Sequence, residues 1–215
     1  MKLQTLNLGS IRTNCYFIIN EETKETIIVD PAADLPKVLK KIEDGDLKPV
    51  AILLTHGHFD HTMAVPGIKL KFNIPVHITK EDRDLAKDPI LSCAYMIGSN
   101  FVLDIEDLVL IEDEEQLEFA GFHIKVIKTP GHTVGSVSYY FEKEKILISG
   151  DTLFYQSVGR TDLPTGDGRM IVTSIEKKLM GLPDEVKVYP GHGVNTTIGH
   201  EKKNNPFIYP EALWQ

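Results

Sequence analysis

Residues 54–61, Leu-Thr-His-Gly-His-Phe-Asp-His, decide the fold, because they place four potential metal ligands directly after an apolar run. Side chains that follow a buried strand emerge at its end, where sheet proteins commonly carry out their chemistry. His56 and His58 would point in opposed directions on a helix, but they can converge in an extended loop that Gly57 makes flexible. The spacing therefore predicts that these two histidines chelate one metal ion.

The second half of this stretch predicts a second metal position. Asp60 and His61 lie where the next predicted helix begins. The free N–H groups and the positive end of the helix dipole would keep the carboxylate ionised and fix both side chains. A single histidine in a loop is weak evidence for a metal site. This cluster, together with the candidate ligands at the strand ends described next, is much stronger evidence.

Two further strand ends repeat one short motif. Residues 129–132 read Thr-Pro-Gly-His and residues 189–192 read Tyr-Pro-Gly-His, so each Pro-Gly turn presents a histidine just beyond a β run. A third run ends in Ser-Gly-Asp, at Asp151. We expect these strand ends to face the same site as residues 54–61.

Imidazole and carboxylate ligands favour zinc, with iron and manganese as alternatives, and no thiolate lies in the motifs. Two cations that share a water would lower its pKa from 15.7 to about 7 and so provide a hydroxide nucleophile. The same cations would polarise the attacked carbonyl. Asp60 is in a position to orient the hydroxide, and no serine or cysteine nucleophile is needed.

The motifs HxHxDH, GHTVGS, SGDTLF and PGHG resemble, in order, the metal motifs of the metallo-β-lactamase superfamily. This resemblance covers nearly the whole chain and implies an α/β fold, an αββα sandwich of two mixed sheets flanked by helices. It also implies two divalent metal ions. The first would be held by His56, His58 and His132 and the second by Asp60, His61 and His192, while Asp151 would bridge them.

Within the superfamily, residues 158–167 and 202–207 are similar to short bacterial type II glyoxalase-like proteins, which are hydroxyacylglutathione hydrolases. The resemblance implies hydrolysis of S-lactoylglutathione, a thioester, with Asp60 and Asp151 as catalytic residues. Long enzymes of this type add a C-terminal helical domain and carry a tyrosine after the last PGH histidine. Here Val194 lies near that position, and we expect one domain, 1–215, without the helical addition.

Three basic residues are candidates for binding an anionic part of the substrate, namely Arg160, Lys202 and Lys203. Solvated surface charge is the alternative interpretation of each. Recognition of glutathione thus stays open, whereas hydrolysis of a small acyl substrate does not depend on it.

Three other functions remain as alternatives. A persulfide dioxygenase shares these motifs but uses a single iron held by two histidines and the aspartate at the bridging position. A lactonase or another small ester hydrolase would use the same metal pair. A non-catalytic binding domain would typically have lost ligands, whereas all seven positions are filled here.

The net charge, the lengths of the apolar runs and the cysteine content restrict the binding partners and the cellular compartment that we expect. The chain has 215 residues and a formal charge of −8, which argues against a nucleic acid or an anionic membrane as the main partner. No apolar run approaches the length of a membrane span, and the start has no long apolar segment typical of a signal peptide. Cys15 and Cys93 indicate a reducing compartment, so we expect a cytoplasmic protein, either a monomer or a small homo-oligomer.

Short β-branched or aromatic runs predict the remaining strands, and segments with helical periodicity predict the helices. The predicted strands are 16–19, 26–29, 50–55, 122–129, 136–141, 145–149 and 186–189. The predicted helices are 35–42, 62–72, 81–87 and 169–180, the last with Asp167 as its N-cap.

Several polar residues lie outside the metal motifs. Asp30 is either a carboxylate that orients a metal-binding histidine or an ordinary turn residue. His77 and His123 are expected to be packed or edge-facing strand residues, and His200 a surface residue. The acidic run 112–115 is expected to form a solvated turn.

Overall fold

Most strands of this computed structural model, which describes residues 1–208, lie in two six-stranded sheets. The first sheet runs in chain order, β1 to β6, with its first three strands antiparallel and the next pairs parallel. Its strands are β1 Lys2–Leu8, β2 Thr13–Ile19, β3 Glu25–Val29, β4 Lys48–Leu53, β5 Val76–Thr79 and β6 Val109–Ile111.

The second sheet has the order β14-β13-β10-β9-β8-β7 and is antiparallel except for the parallel pair β10 and β13. Its strands are β7 Gln116–Phe119, β8 Phe122–Lys128, β9 Val137–Phe141, β10 Ile146–Gly150, β13 Lys187–Pro190 and β14 Thr196–Thr197. A separate small hairpin consists of β11 Leu153–Phe154 and β12 Ser157–Val158.

Helices cover the outer faces of both sheets. They are α1 Leu35–Asp44, α2 Phe59–Thr62, α3 Val65–Phe72, α4 Lys80–Ala86, α5 Gly168–Ser174 and α6 Ile198–Asn204. A π-helical turn, Ile175–Leu179, continues α5, and Ala94–Ile97 form a single 3₁₀ turn. Asp167 caps α5 as predicted, because its carboxylate accepts hydrogen bonds from the N–H groups of Arg169 and Met170.

Alternating side chains connect the layers. In β2, Cys15 and Phe17 pack with the side chains of α1 and α3, while Tyr16 and Ile18 face the second sheet. In β10, Leu147 packs with the side chains of α5. Since each inner strand buries both faces, apolar residues fill almost every position, and the predicted αββα sandwich is confirmed.

Differences from the predicted elements are mostly at their ends. The helix predicted over 62–72 forms as α3 and begins at Val65, with Pro66 in its first turn, while Thr62 is the last residue of α2. The helix predicted over 169–180 begins as an α-helix and continues as a π-helical turn. No range was predicted for α6 or for the shorter or more polar strands, which are β1, β5, β6, β7, β11, β12 and β14.

The cysteines, the acidic run and the three histidines outside the metal motifs differ in burial. Cys15 and Cys93 are buried free thiols, and the acidic run 112–115 forms the expected exposed turn between β6 and β7. His77 is buried in β5, and burial lowers its pKa to about 4. His123 is exposed on β8, and His200 stacks on Tyr155. Within residues 1–208, no helix is long and apolar enough to span a bilayer.

Candidate metal centre

Seven side chains meet at one end of the sandwich, each from a segment that leaves a strand. His56 and His58 follow β4, and Asp60 and His61 lie in α2, whose N-cap is His58. The other three follow β8, β10 and β13 and are His132, Asp151 and His192. The structure thus brings together every residue that the sequence analysis named as a metal ligand.

The first group consists of His56, His58 and His132, all buried. One ring nitrogen from each lies within 4.8 Å of the others. The closest pair is His58 Nδ1 and His132 Nε2, which are 2.9 Å apart. Three imidazoles converging in this way match a tripod of nitrogen ligands for a borderline metal.

The second group consists of Asp60, His61 and His192, whose ligand atoms also lie within 4.8 Å of one another. Asp60 Oδ2 is 3.2 Å from His192 Nε2 and 3.5 Å from His61 Nε2. This group is more open, because the His192 side chain keeps 29% of its surface exposed.

Asp151 lies between the two groups. Its Oδ2 is 3.5 Å from Nε2 of His132 and 3.5 Å from Nε2 of His192, so one carboxylate oxygen contacts both groups. Its Oδ1 is 3.5 Å from Nε2 of His61. This is the placement required of a carboxylate that bridges two cations.

Hydrogen bonds to the outer nitrogen fix the tautomer of His61 and His132. His61 Nδ1 is 2.9 Å from Asp30 Oδ2 and His132 Nδ1 is 2.8 Å from the Arg160 carbonyl oxygen. Because both partners only accept, each Nδ1 carries a proton, and Nε2 is the nitrogen left to ligate a cation.

The Thr55 hydroxyl fixes the tautomer of His56 in the same way. Its hydroxyl donates to Asp30 Oδ2 at 2.6 Å, so it accepts from His56 Nδ1 at 3.1 Å and leaves Nε2 free for a metal. Asp30 therefore orients two histidines, one directly and one through Thr55. Of the two interpretations left open for Asp30, the structure supports the orienting one.

Several polar atoms that face the centre have no hydrogen-bond partner within the described part of the chain. They are buried, and unpaired buried polar atoms are costly unless something else satisfies them. The atoms are Nε2 of His56, Nε2 of His61 and Oδ1 of Asp151. The donor set, its burial and its convergence fit a pair of divalent cations.

Charge in the centre favours cations as well. Burial and the neighbouring imidazoles lower the pKa of His58 to about 3, which keeps the ring neutral and able to ligate. Burial alone would lower the pKa of His61, but adjacent carboxylates outweigh it and raise the pKa to about 10. Those carboxylates belong to Asp60, Asp151 and Asp30.

Asp82, in α4, was missed by the sequence analysis although it connects two of the ligand loops. Its buried carboxylate accepts from the N–H of Gly57, the N–H of Gly135 and the hydroxyl of Thr133, at 2.7–2.8 Å. It thereby fixes the loop of His56 and His58 against the loop of His132. An acidic residue near a helix start is common, so the sequence did not distinguish it.

Asn14 and Tyr16 of β2 were also not predicted to belong to the site, because nothing near them in the sequence resembles a metal motif. The Asn14 amide donates to the carbonyls of Pro190 and Gly193 at 2.9 and 3.1 Å. The Tyr16 hydroxyl also donates to the Pro190 carbonyl, at 2.6 Å. These bonds hold the loop of His192 from the first sheet.

A cavity of about 660 Å³ opens over the centre and is lined by Asp60, His132 and Asp151 among others. Arg160 lines it too and forms an ion pair with Asp162. Lys202 instead pairs with Asp184 at 2.7 Å, and Lys203 is exposed on α6, away from the cavity lining.

Comparison with known proteins gives the same assignment. The model of the metallo-β-lactamase superfamily matches residues 8–192. The probable metallo-hydrolase YqgX of Bacillus subtilis is 38% identical over 97% of this chain and 98% of its own length. Hydroxyacylglutathione hydrolase GloC of Haemophilus influenzae is 32% identical, with coverage of 97% and 98%.

Two solved structures are similar along the whole fold. The B3 metallo-β-lactamase BLEG-1 superimposes with a TM-score of 0.92 and 40% identity, covering 97% of this chain and 100% of that one. A di-iron-bound form of TTHA1623 gives a TM-score of 0.86 and 34% identity, with coverage of 95% and 99%.

The chain belongs to the metallo-β-lactamase superfamily, whose members bind divalent metals through such His/Asp clusters. Within that superfamily it is a metallo-hydrolase acting on a small-molecule substrate.

Proposed function

We propose that the protein hydrolyses thioesters of the S-lactoylglutathione type, with two divalent cations held by the seven side chains of the centre. The observation that carries this proposal is the position of Asp151, whose single Oδ2 lies 3.5 Å from a histidine of each ligand group. The similarity to hydroxyacylglutathione hydrolase GloC supports the thioester as substrate.

Bound cations would supply an activated water and polarise the thioester carbonyl. His56, His58 and His132 would hold one, Asp60, His61 and His192 the other, and Asp151 both. Zinc is the metal that this nitrogen-rich set favours most, with iron and manganese as alternatives.

Asp60 orients the attacking water in this proposal. Burial opposes ionisation, but the imidazoles of His61 and His192 outweigh it and hold the pKa of Asp60 well below its usual range. The Thr13 hydroxyl donates to Asp60 Oδ2 at 3.1 Å and fixes the carboxylate beside the cavity. An ionised, fixed carboxylate accepts a proton from water in a constant direction.

A thioester suits this centre because a thiolate leaves without prior protonation, its conjugate thiol having a pKa of about 8.5. Arg160 lies at the cavity, where its guanidinium can face an anionic part of the substrate. Since Lys202 and Lys203 lie elsewhere, the proposal for substrate binding rests on Arg160.

The test is hydrolysis of S-lactoylglutathione by the zinc-loaded full chain and by Asp60→Asn. We expect turnover by the unmodified protein and a loss of about 10²- to 10⁴-fold in kcat for the variant, with unchanged circular dichroism. Asp104→Asn, an exposed aspartate outside the centre, is the matched control. Oxygen uptake with glutathione persulfide and no thioester hydrolysis would contradict the proposal.

A further inference from the structure

Three large apolar side chains are half-exposed beside the metal centre. Ile11, in the loop between β1 and β2, is 52% exposed, and Met96 and Ile97, in the 3₁₀ turn, are 52% and 51% exposed. All three line the 660 Å³ cavity. Apolar side chains gathered on a concave surface next to reactive groups are typical of a ligand site rather than of ordinary surface.

Further apolar side chains line the same cavity. Phe154 and Val158 belong to the hairpin of β11 and β12, and Leu163 lies in the loop that follows it. Phe59, next to Asp60, adds an aromatic side chain. A substrate whose carbonyl reaches Asp60 and Asp151 therefore has hydrocarbon around the rest of its length.

Charge at the cavity is scarce outside the metal ligands. Arg160 is the one cationic side chain among the described residues that line it. Its Nε and Nη2 donate to the two carboxylate oxygens of Asp162, both at 2.7 Å. This bidentate pair takes up two of the five N–H donors of the guanidinium and balances its charge with a carboxylate.

A glutathione group carries two carboxylates and an ammonium, and each needs a partner when it leaves water. One guanidinium that is engaged with Asp162 does not provide three. An uncharged hydrocarbon group has no such requirement, and each buried methylene contributes about 0.8 kcal/mol.

We infer that the cavity binds an apolar group of the substrate, so that the preferred thioesters carry an aliphatic or aromatic group and have no charged peptide as their thiol. The apolar site is formed by Ile11, Met96, Ile97, Phe154, Val158 and Leu163. This inference rests on the proposed thioester hydrolysis and narrows its substrate class.

Binding to the metal-free full chain tests the apolar site without turnover. The probes are N-acetylcysteamine thioethers with methyl, butyl, hexyl and octyl chains, titrated by calorimetry. We expect Kd to fall about two- to fourfold per added methylene until the cavity is filled, the upper figure corresponding to about 0.8 kcal/mol. A Kd independent of chain length overturns the inference.

Variants of the cavity residues show which side chains cause the dependence of Kd on chain length. Ile97→Asn and Met96→Asn add a polar group at half-exposed positions, where the fold tolerates it, and should reduce the chain-length dependence to less than half. The matched control is Leu70→Asn, an 88% exposed leucine on α3 outside the cavity, which should leave the dependence unchanged. Equal dependence in all variants overturns the assignment of these residues.

Hydrolysis by the zinc-loaded protein separates this inference from the proposed function. We expect kcat/KM for octanoyl-N-acetylcysteamine to exceed that for S-lactoylglutathione by at least about tenfold, which corresponds to about 1.4 kcal/mol. The reverse order overturns the inference and leaves the proposed function standing. No hydrolysis of any thioester, with the binding series intact, overturns the proposed function instead.

A second copy of the chain is the other possible occupant of this apolar surface. Sedimentation of the full chain at increasing concentration distinguishes it. Dimerisation that disappears in Ile97→Asn, with no effect of chain length on thioether binding, overturns the inference.

Discussion

The two Pro-Gly-His loops share a motif but hold their histidines to different degrees. His132 is almost fully buried, and its Nδ1 donates to the Arg160 carbonyl. His192 keeps 29% of its side chain exposed, and among residues 1–208 the polar contacts of its ring are those of Nε2 with Asp60 and Asp151. The His132 ring is thus held at both of its nitrogens, whereas the His192 ring is held at Nε2 alone.

The supports of the two loops differ as well. Gly131 has φ near +142°, a conformation suited to glycine, and its carbonyl accepts from Asp167 at the start of α5. Asp82 anchors the residues that follow His132. The loop of His192 is held mainly from the opposite sheet, by Asn14 and Tyr16. The Pro-Gly-His motif therefore presents a rigidly held histidine in the first loop and a more accessible histidine in the second.

The largest expected effect is that of His132→Ala. It removes a ligand of the buried group and a neighbour of Asp151, so we expect the bound metal to fall from two ions per chain to about one and kcat to fall at least about 10³-fold. Elemental analysis and S-lactoylglutathione hydrolysis measure this. Unchanged metal content would contradict the assignment of His132.

His192→Ala should have a smaller effect. Water can enter where the partly exposed ring was, so we expect the first ion to stay bound, the second to bind about 10- to 100-fold more weakly, and kcat to fall less than in the His132 variant. Competition with a coloured chelator measures both affinities. An equal loss in both variants would break the distinction between the loops.

Asp82→Asn tests the anchor on the His132 side. The amide cannot accept at both oxygen positions, so at least one buried N–H or hydroxyl loses its partner, at a cost of about 1–3 kcal/mol in the free energy of unfolding. Urea unfolding of the metal-free protein measures it. Asp84→Asn, exposed on the same helix, is the control and should change stability by less than about 0.5 kcal/mol.

Asn14→Ala tests the anchor on the His192 side. It removes three hydrogen bonds, two to the His192 loop and one from the Asn7 amide at the partly exposed end of β1, but the Pro190 carbonyl keeps its bond from Tyr16. We therefore expect a loss of about 1 kcal/mol in the same unfolding experiment, smaller than for Asp82→Asn. A loss larger than that of the Asp82 variant would reverse the ranking of the two anchors.

Sequence alone indicated the fold class and the ligand side chains because both depend on local patterns. β-branched and aromatic runs predicted strands such as β8 and β9, and short motifs at strand ends, through their resemblance to the metal motifs of the superfamily, named His56 and His132 as ligands. These features are visible within a few residues of chain.

The supports were not visible because they depend on contacts between distant segments. Asn14 contacts Pro190 across 176 positions, and Asp82 contacts Thr133 across 51. The apolar lining was hidden for the same reason, since Ile11 and Ile97 meet at the cavity only in the folded chain. The start of the helix predicted over 62–72, at Val65 rather than Thr62, was a local feature that Pro66 could have shown.

The most direct test of the central claim is the metal content of the purified full chain, measured by elemental analysis beside thioester hydrolysis. We expect about two divalent ions per chain, with hydrolysis lost when a chelator removes them and restored by zinc. A single iron per chain that supports oxygen uptake, with no thioester hydrolysis after zinc is added, would contradict it.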